Sequence, residues 1–376
     1  MGCDSINAEE KSPVATITIG IDLAKLVFSA CELDAAGHVR QRRDLRRDAL
    51  GSWLAQLPAG TVVAMEACSG AHHWARYCLS LGLVPKLIAA QFVTPFRKSR
   101  TAKNDRNDAE AIATAARQGN MRFVPVKSID QQARLAVHRV REGYKVEALA
   151  TSNRLRGLLA EFGVVVARQD QALRHAVGDL AIRDQLPGAL LHLIDDLALH
   201  WKTVIERIVA CDAAIASTAS KDIRCVRARQ VIGVGALTAD ALVATVGDAR
   251  EFKNGRQMAA WLGLAPTQHS SGGKSRLGTI SCRGDSYLRT LLIQGARSSL
   301  QRAQVVAVAR ATPEQIWIRD LASRLPFGKV VVAIANKHAR QAWAMLARGE
   351  DYDAHAWLKH PMVQRPASKR RQQACS

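Results

Sequence analysis

The sequence predicts an α/β unit followed by a mainly helical remainder, and three observations predict it. Short apolar runs ending in carboxylates alternate with helix-period stretches up to residue 128. Two long apolar seams at three-and-four spacing fill residues 129–220. From 221 onward, apolar helices are joined by glycine- and serine-rich turns. The expected layout is a lead over 1–14, an α/β unit over 15–128, a helical hairpin over 129–220, a C-terminal unit over 221–350 and a basic tail over 351–376. A chain of 376 residues has room for two or three such units.

Composition narrows the partner before any motif is read. Hydrophobic content of 48% and charged content of 23% are those of a folding globular chain, but 53 Lys and Arg against 33 Asp and Glu leave a formal charge of +20. Such a field attracts polyanions by releasing their counterions, so nucleic acid stands ahead of an acidic membrane surface as partner. No apolar run approaches the roughly 18 residues of a spanning helix, and the first residues lack the basic-then-apolar layout of a signal peptide. The expected location is cytoplasmic, with no membrane partner. The eight cysteines are scattered without Cys-x-x-Cys pairs, which argues against structural zinc.

Taken in order, Thr16-Ile17-Thr18-Ile19-Gly20-Ile21-Asp22 is a β-branched run closed by a carboxylate. Val27 to Leu33 and Val39 to Arg43 follow across a turn at Asp34-Ala35-Ala36-Gly37, which suggests an antiparallel meander. Leu50, Trp53, Leu54 and Leu57 mark a helix over 48–57. Thr61 to Glu66 is a buried strand that again ends in a carboxylate. A helix over 71–81, a strand over 86–89 and an alanine-rich helix opened by Asp105 and Asp108 complete the unit.

An Asp in a first turn is ordinarily a cap that complements the helix dipole. Asp22, Glu66, Asp105 and Asp108 together support a sharper reading. With this strand order the ends of the first and fourth strands are neighbours, and converging carboxylates repel one another unless divalent cations neutralise them. Hard oxygen ligands favour Mg2+ or Mn2+, and two such ions about 4 Å apart form the clamp of phosphodiester chemistry.

The two seams run through Val137, Val140, Tyr144, Ala148, Thr151, Leu155, Leu158 and Phe162, and through Leu190, Ile194, Leu197, Trp201, Val204, Ile208, Cys211 and Ile215. They predict an antiparallel helical hairpin, packed within the chain or against a second copy. Ile232-Gly233-Val234-Gly235 has the layout of a helix-hairpin-helix turn, in which backbone amides at Gly233 and Gly235 meet a phosphate, although any tight corner between helices also favours glycine. Ser270-Ser271-Gly272-Gly273 lies among Lys274, Arg276, Arg283 and Arg289. That is a basic loop where backbone can approach a phosphate, and its serines are turn residues or a nucleophile.

Gly20-Ile21-Asp22-Leu23-Ala24-Lys25, Met65-Glu66-Ala67-Cys68 and Lys103-Asn104-Asp105-Arg106-Asn107-Asp108-Ala109 resemble the DEDD tetrad of the insertion-sequence-110 transposases, relatives of the Piv-type DNA invertases. The stretch from Ile232 through Leu262-Gly263-Leu264-Ala265-Pro266 and Ser270-Ser271-Gly272-Gly273 to Leu288-Arg289 resembles the same family's C-terminal transposase domain. The resemblance covers nearly everything from Thr16 to about Leu300. One departure is Glu66-Ala67-Cys68-Ser69-Gly70, where the family has a tighter Glu-x-x-Gly turn.

The resemblance implies an RNase H-like (RuvC-like) mixed-sheet domain, a coiled-coil hairpin spacer and a mainly helical transposase domain, in a prokaryotic, nucleoid-associated protein. It implies recombination of DNA through a covalent serine–DNA 5′-phosphate link, with the carboxylates Asp22, Glu66, Asp105 and Asp108 holding Mg2+ or Mn2+. The nucleophile maps to Ser271, with Ser270 as its neighbour. The resemblance also implies a homo-oligomer, dimer or tetramer, in which one subunit's carboxylates meet another's serine, and guidance by a structured RNA. The alternatives are a junction-resolving nuclease that activates water at the same carboxylates, and a non-catalytic nucleic-acid scaffold.

Overall fold

The structure is a computed structural model that describes residues 17–97, 105–268, 277–353 and 355, with Asp105 and Leu277 described by backbone alone. The chain divides into two compact units, Met1–Ile129 and Asp130–Ser376.

The first unit is a mixed sheet with helices on both faces. Its elements are β1 (Thr18–Asp22), β2 (Val27–Leu33), β3 (Val39–Arg46), α1 (Arg47–Leu54), β4 (Val62–Glu66), α2 (Ala71–Ser80), β5 (Val84–Ile88), α3 (Ala90–Val93), α4 (Asp105–Ala116) and β6 (Phe123–Val124). The strands lie in the order β3-β2-β1-β4-β5-β6. β1, β2 and β3 pair antiparallel as the meander predicts, while β1–β4 and β4–β5 are parallel. The antiparallel edge strand β6 has only two residues, too few to leave a periodic signal.

The continuous apolar runs of β1 and β4 reflect burial on both sides. On one face Ile19, Ile21, Val63 and Met65 pack with Leu50 and Leu54 of α1 and with Trp74, Ala75 and Cys78 of α2. On the other, Ala64 and Ile88 meet Ile112 and Ala115 of α4, and Cys31 and Leu33 meet its Ala109 and Ala113.

The alanines let α4 approach the sheet closely, and Gly20 completes the fit. A Cβ at Gly20 would lie 2.2 Å from the Ala109 carbonyl oxygen and 2.5 Å from the Ala113 nitrogen. Ion pairs from Arg106 to Asp44 and from Arg42 to Glu110 fasten the exposed side of α4 to β3.

The second unit is mainly helical. Its elements are α5 (Ile129–Ala160), α6 (Asp170–Gly178), α7 (Leu180–Arg183), α8 (Gly188–Lys221), α9 (Ile223–Ala228), α10 (Ala236–Val246), α11 (Gly255–Trp261), the hairpin β7 (Pro266–Gln268) and β8 (Leu277–Ile280), α12 (Ser286–Val305), α13 (Pro313–Arg324) and α14 (Phe327–Arg348). Ala148, Leu155 and Leu159 of α5 pack with Leu190, Ile194, Trp201 and Val204 of α8. The stretch between the seams supplies α6, whose Leu173 and Ala176 join that core. Val140, on the seam by spacing, is half-exposed, as are Leu149 and Leu199. A separate core unites α10, α11, α12, α13 and α14 around Leu242, Met258, Leu292, Ile318 and Ile334.

Gly20→Ala is expected to destabilise the protein by about 1–3 kcal/mol, because the added methyl meets the backbone of α4. Gly143→Ala, where a Cβ on α5 meets open space, is expected to stabilise it by up to ~1 kcal/mol. Urea denaturation of the two variants checks both signs.

Candidate active site and nucleic-acid surface

Parallel pairing sets Ile21 of β1 against Met65 of β4, so Asp22 and Glu66 emerge side by side at the carboxyl ends of adjacent strands. Ala67 continues the ladder by donating its N–H to the Ile88 carbonyl, 2.8 Å. The chain then turns sharply. The Cys68 N–H donates to the Glu66 carbonyl at 2.8 Å, and Gly70 at φ +84° leads into α2. Gly70 takes a left-handed conformation that glycine adopts without steric penalty, so the longer Glu-Ala-Cys-Ser-Gly turn still delivers the Glu66 side chain to the strand end.

Asp108 reaches the same place from the first turn of α4, and it is buried. Arg97 joins the two acids: its Nη2 lies 3.4 Å from Glu66 Oε2 and its Nε 3.0 Å from Asp108 Oδ1. Partial desolvation, then the negative charges of Glu66 and Asp22, push the Cys68 thiol above its ordinary pKa. Asp22, Glu66 and Asp108 therefore share one end of the sheet. Asp105 is the first residue of α4, one turn before Asp108, and its side chain lies outside the described residues.

The donors at this strand end are hard carboxylate oxygens already drawn around a cationic group, a chemistry that fits a divalent cation. Among the described residues, no three His, Cys, Asp or Glu side chains stand close enough to hold a metal ion as arranged. Arg97 occupies the space between two of the acids. Sequence reasoning missed Arg97, which follows a single 3-10 turn, Thr94–Phe96, with no periodicity to reveal it.

In the second unit, Ser270, Ser271, Lys274 and Arg276 lie outside the described residues, but the stem that presents them does not. β7 and β8 pair antiparallel, with Gln268 opposite Leu277. The stem is clamped to the start of α12. A Cβ at Gly263 would lie 2.2 Å from the Arg283 carbonyl oxygen, and one at Gly284 2.0 Å from that of Trp261. Arg289 Nη1 donates to the Leu262 carbonyl at 3.2 Å, so this arginine braces the stem, whereas Arg283 is exposed.

The two glycines of the helix-hairpin-helix turn have different surroundings. Gly233, at φ +86°, faces α12 so closely that a Cβ would lie 2.4 Å from the Gly295 carbonyl oxygen, and this packing accounts for a glycine there without any ligand. Gly235 is exposed at the start of α10, with open space around it.

A mixed sheet that gathers carboxylates at the ends of adjacent parallel strands is consistent with a nuclease-like transposase of the DEDD class. Residues 19–163 match a family model of DEDD transposases described as "Transposase", and residues 225–311 match "Transposase IS116/IS110/IS902 family". The chain is 44% identical over 337 residues to a Pseudomonas aeruginosa protein named "Probable family 20 transposase", covering 89% of this chain and 98% of that one. It is 38% identical over 345 residues to the transposase for insertion sequence element IS1111A of Coxiella burnetii, covering 89% and 90%. It is 36% identical over 331 residues to the transposase for insertion sequence element IS1328 of Yersinia enterocolitica, covering 88% and 97%. The chain belongs to the IS110 family of transposases. Among the described residues no helix is long and apolar enough to cross a membrane.

A second constellation, in the helical unit, was not legible in the sequence. Arg134 and His138 of α5 both bond the buried Asp240 of α10, with Arg134 Nη2 2.6 Å from Oδ1 and His138 Nε2 2.9 Å from Oδ2. His138 Nδ1 lies 2.9 Å from the hydroxyl of Tyr287 in the first turn of α12. A carboxylate only accepts, so Nε2 carries a proton to Asp240, while Nδ1 and the tyrosine hydroxyl share the second bond. Burial pushes the Tyr287 hydroxyl up to about 12. The chain of bonds ties the long helix α5 to α10 and to α12, the helix that follows the serine hairpin in sequence.

Burial alone would raise the Asp240 pKa, but hydrogen bonds from His138 and Arg134 outweigh it and hold the carboxyl below its ordinary value. A depressed carboxyl contributes stability above its unfolded pKa and loses it as pH falls through the folded value. Asp240→Asn is therefore expected to cost about 1–3 kcal/mol at neutral pH: it removes the carboxylate that pairs Arg134 and accepts from His138, while Arg134 keeps its 2.8 Å ion pair to Asp222. The variant should also lose part of the fall in stability that the native protein shows below about pH 4. Urea denaturation across pH 3–7 measures both effects.

Proposed function

We propose that this transposase is a DNA recombinase that cuts and exchanges strands of its insertion sequence through a covalent link between Ser271 and a DNA 5′ phosphate. The observation that carries the reading is the convergence of Asp22, Glu66 and Asp108 at one end of the sheet. DEDD transposases are generally dependent on divalent metal. Here Asp22, Glu66 and Asp108, with Asp105 from the same turn of α4, would hold Mg2+ or Mn2+. Bound there, the ion supplies positive charge to a phosphodiester undergoing displacement.

The chain's own residues account for the rest. The serine hydroxyl attacks phosphorus, the Oγ–P bond forms and the P–O3′ bond breaks. The serine proton passes to the departing 3′ oxygen, leaving a free 3′-hydroxyl. Attack on the phosphoserine by another strand's 3′-hydroxyl reverses these steps and restores the serine, so no nucleotide cofactor is consumed. Lys274, Arg276 and Arg283 suit the phosphate by charge, Arg289 braces the hairpin stem, and the exposed backbone at Gly235 suits a flanking phosphate.

In this reading the serine and the carboxylates that serve it come from different subunits of a dimer or tetramer. A structured guide RNA selects the target, an assignment supported by the family resemblance and by a net charge of +20.

Denaturing electrophoresis of reactions with element-end DNA and Mg2+ tests the mechanism. The wild type is expected to form a protein–DNA adduct, Ser271→Ala to form none, and Asp22→Asn to lose both cleavage and adduct. Adducts at normal yield from Ser271→Ala would move the nucleophile to Ser270, and wild-type cleavage without any adduct would make the enzyme a water-using nuclease.

A further inference from the structure

Arg97 has no role in the chemistry above, yet its position is built. It ends the segment formed by α3 and the 3-10 turn, in which Val93 is fully buried and Phe96 packs on the cluster of Ala64, Ile88 and Ile112. The Arg97 N–H donates to the Thr94 carbonyl at 3.3 Å, and the residue is extended at φ −71°, ψ 129°. From this anchored backbone the guanidinium bridges Glu66 of β4 and Asp108 of α4 through two different nitrogens. The side chain is 36% exposed, so it is open to solvent and to a ligand.

A divalent cation and this guanidinium need the same carboxylate oxygens. We propose that Arg97 is a positioning residue that couples metal loading to DNA binding. While it bridges Glu66 and Asp108 it offsets their repulsion and competes with the cation. An incoming phosphodiester draws the guanidinium away, since its planar fork matches two phosphate oxygens, and the carboxylates are left to the metal. No covalent bond changes. By linkage, whatever DNA adds to metal affinity through Arg97, metal adds to DNA affinity. The inference rests on the reading of these carboxylates as a metal site.

Two partly exposed ion pairs are individually weak, so the competition is modest and measurable. Mn2+ binding by the full-length protein, followed as loss of the free-ion electron-spin-resonance signal with and without a DNA duplex of the element end, tests it. Without DNA, Arg97→Gln is expected to bind Mn2+ about three- to tenfold more tightly than wild type, with Arg97→Lys between them. DNA should tighten Mn2+ binding to wild type by more than it does to Arg97→Gln.

Damage to the fold would weaken metal binding, so a gain in affinity marks the competition itself. Unchanged or weaker binding by Arg97→Gln, with Asp22→Asn losing binding, overturns the role of Arg97 and leaves the metal site standing. Binding by Asp22→Asn equal to wild type removes the metal-site reading, and the inference falls with it.

Discussion

The site depends on one register: β1 and β4 run parallel with Ile21 opposite Met65, so the next residue of each strand, Asp22 and Glu66, is a carboxylate at a shared edge. Two acids side by side repel, and their placement is held by packing remote from the charge. Ile19, Ile21, Val63 and Met65 bury one face against α1 and α2, and Gly20 lets the backbone of α4 lie directly on the other. The same close approach brings Asp108 within reach of the strand ends. A single missing Cβ in the middle of β1 thus helps to set the distance between the sheet and the helix that carries the last two acids.

The chain handles charge differently in its two units. At the strand ends a partly exposed arginine bridges two of the acids and can be exchanged. In the helical unit Arg134, Asp240 and His138 are buried and bonded to one another, with Asp222 as a second partner of Arg134. The first arrangement suits a site that must accept a cation and a phosphate. The second fixes α5, α10 and α12 to one another close in sequence to the hairpin that bears the serines. The field of the whole chain, at +20, draws in the polyanion while the carboxylates concentrate opposite charge at one point.

Much of this was legible in the sequence where a local pattern carried it. β-branched runs ending in Asp22 and Glu66 gave the strands and their terminal acids, and the meander turn at Asp34-Ala35-Ala36-Gly37 gave the strand order that makes those ends neighbours. Helical spacing located α1 and α2 to within a few residues.

What escaped had no local signature. Arg97 follows a three-residue turn, β6 has two residues, and Asp240 stands 102 positions from His138, whose place on an apolar helix looks like ordinary core. Gly233 carries two readings at once: its Gly-x-Gly spacing matches a phosphate turn, and the carbonyl of Gly295, far along the chain, is what a side chain there would strike.

In the proposed mechanism Asp22, Glu66 and Asp108 form one cation-binding centre that works on DNA. A crystal structure of the protein with element-end DNA and Mn2+, read by anomalous scattering, tests it most directly. The expected result is a manganese peak in contact with carboxylate oxygens of all three residues and with a phosphate, and Arg97 turned from Glu66 and Asp108 toward the DNA. Manganese bound elsewhere, with both Arg97 ion pairs intact beside the bound DNA, would contradict it.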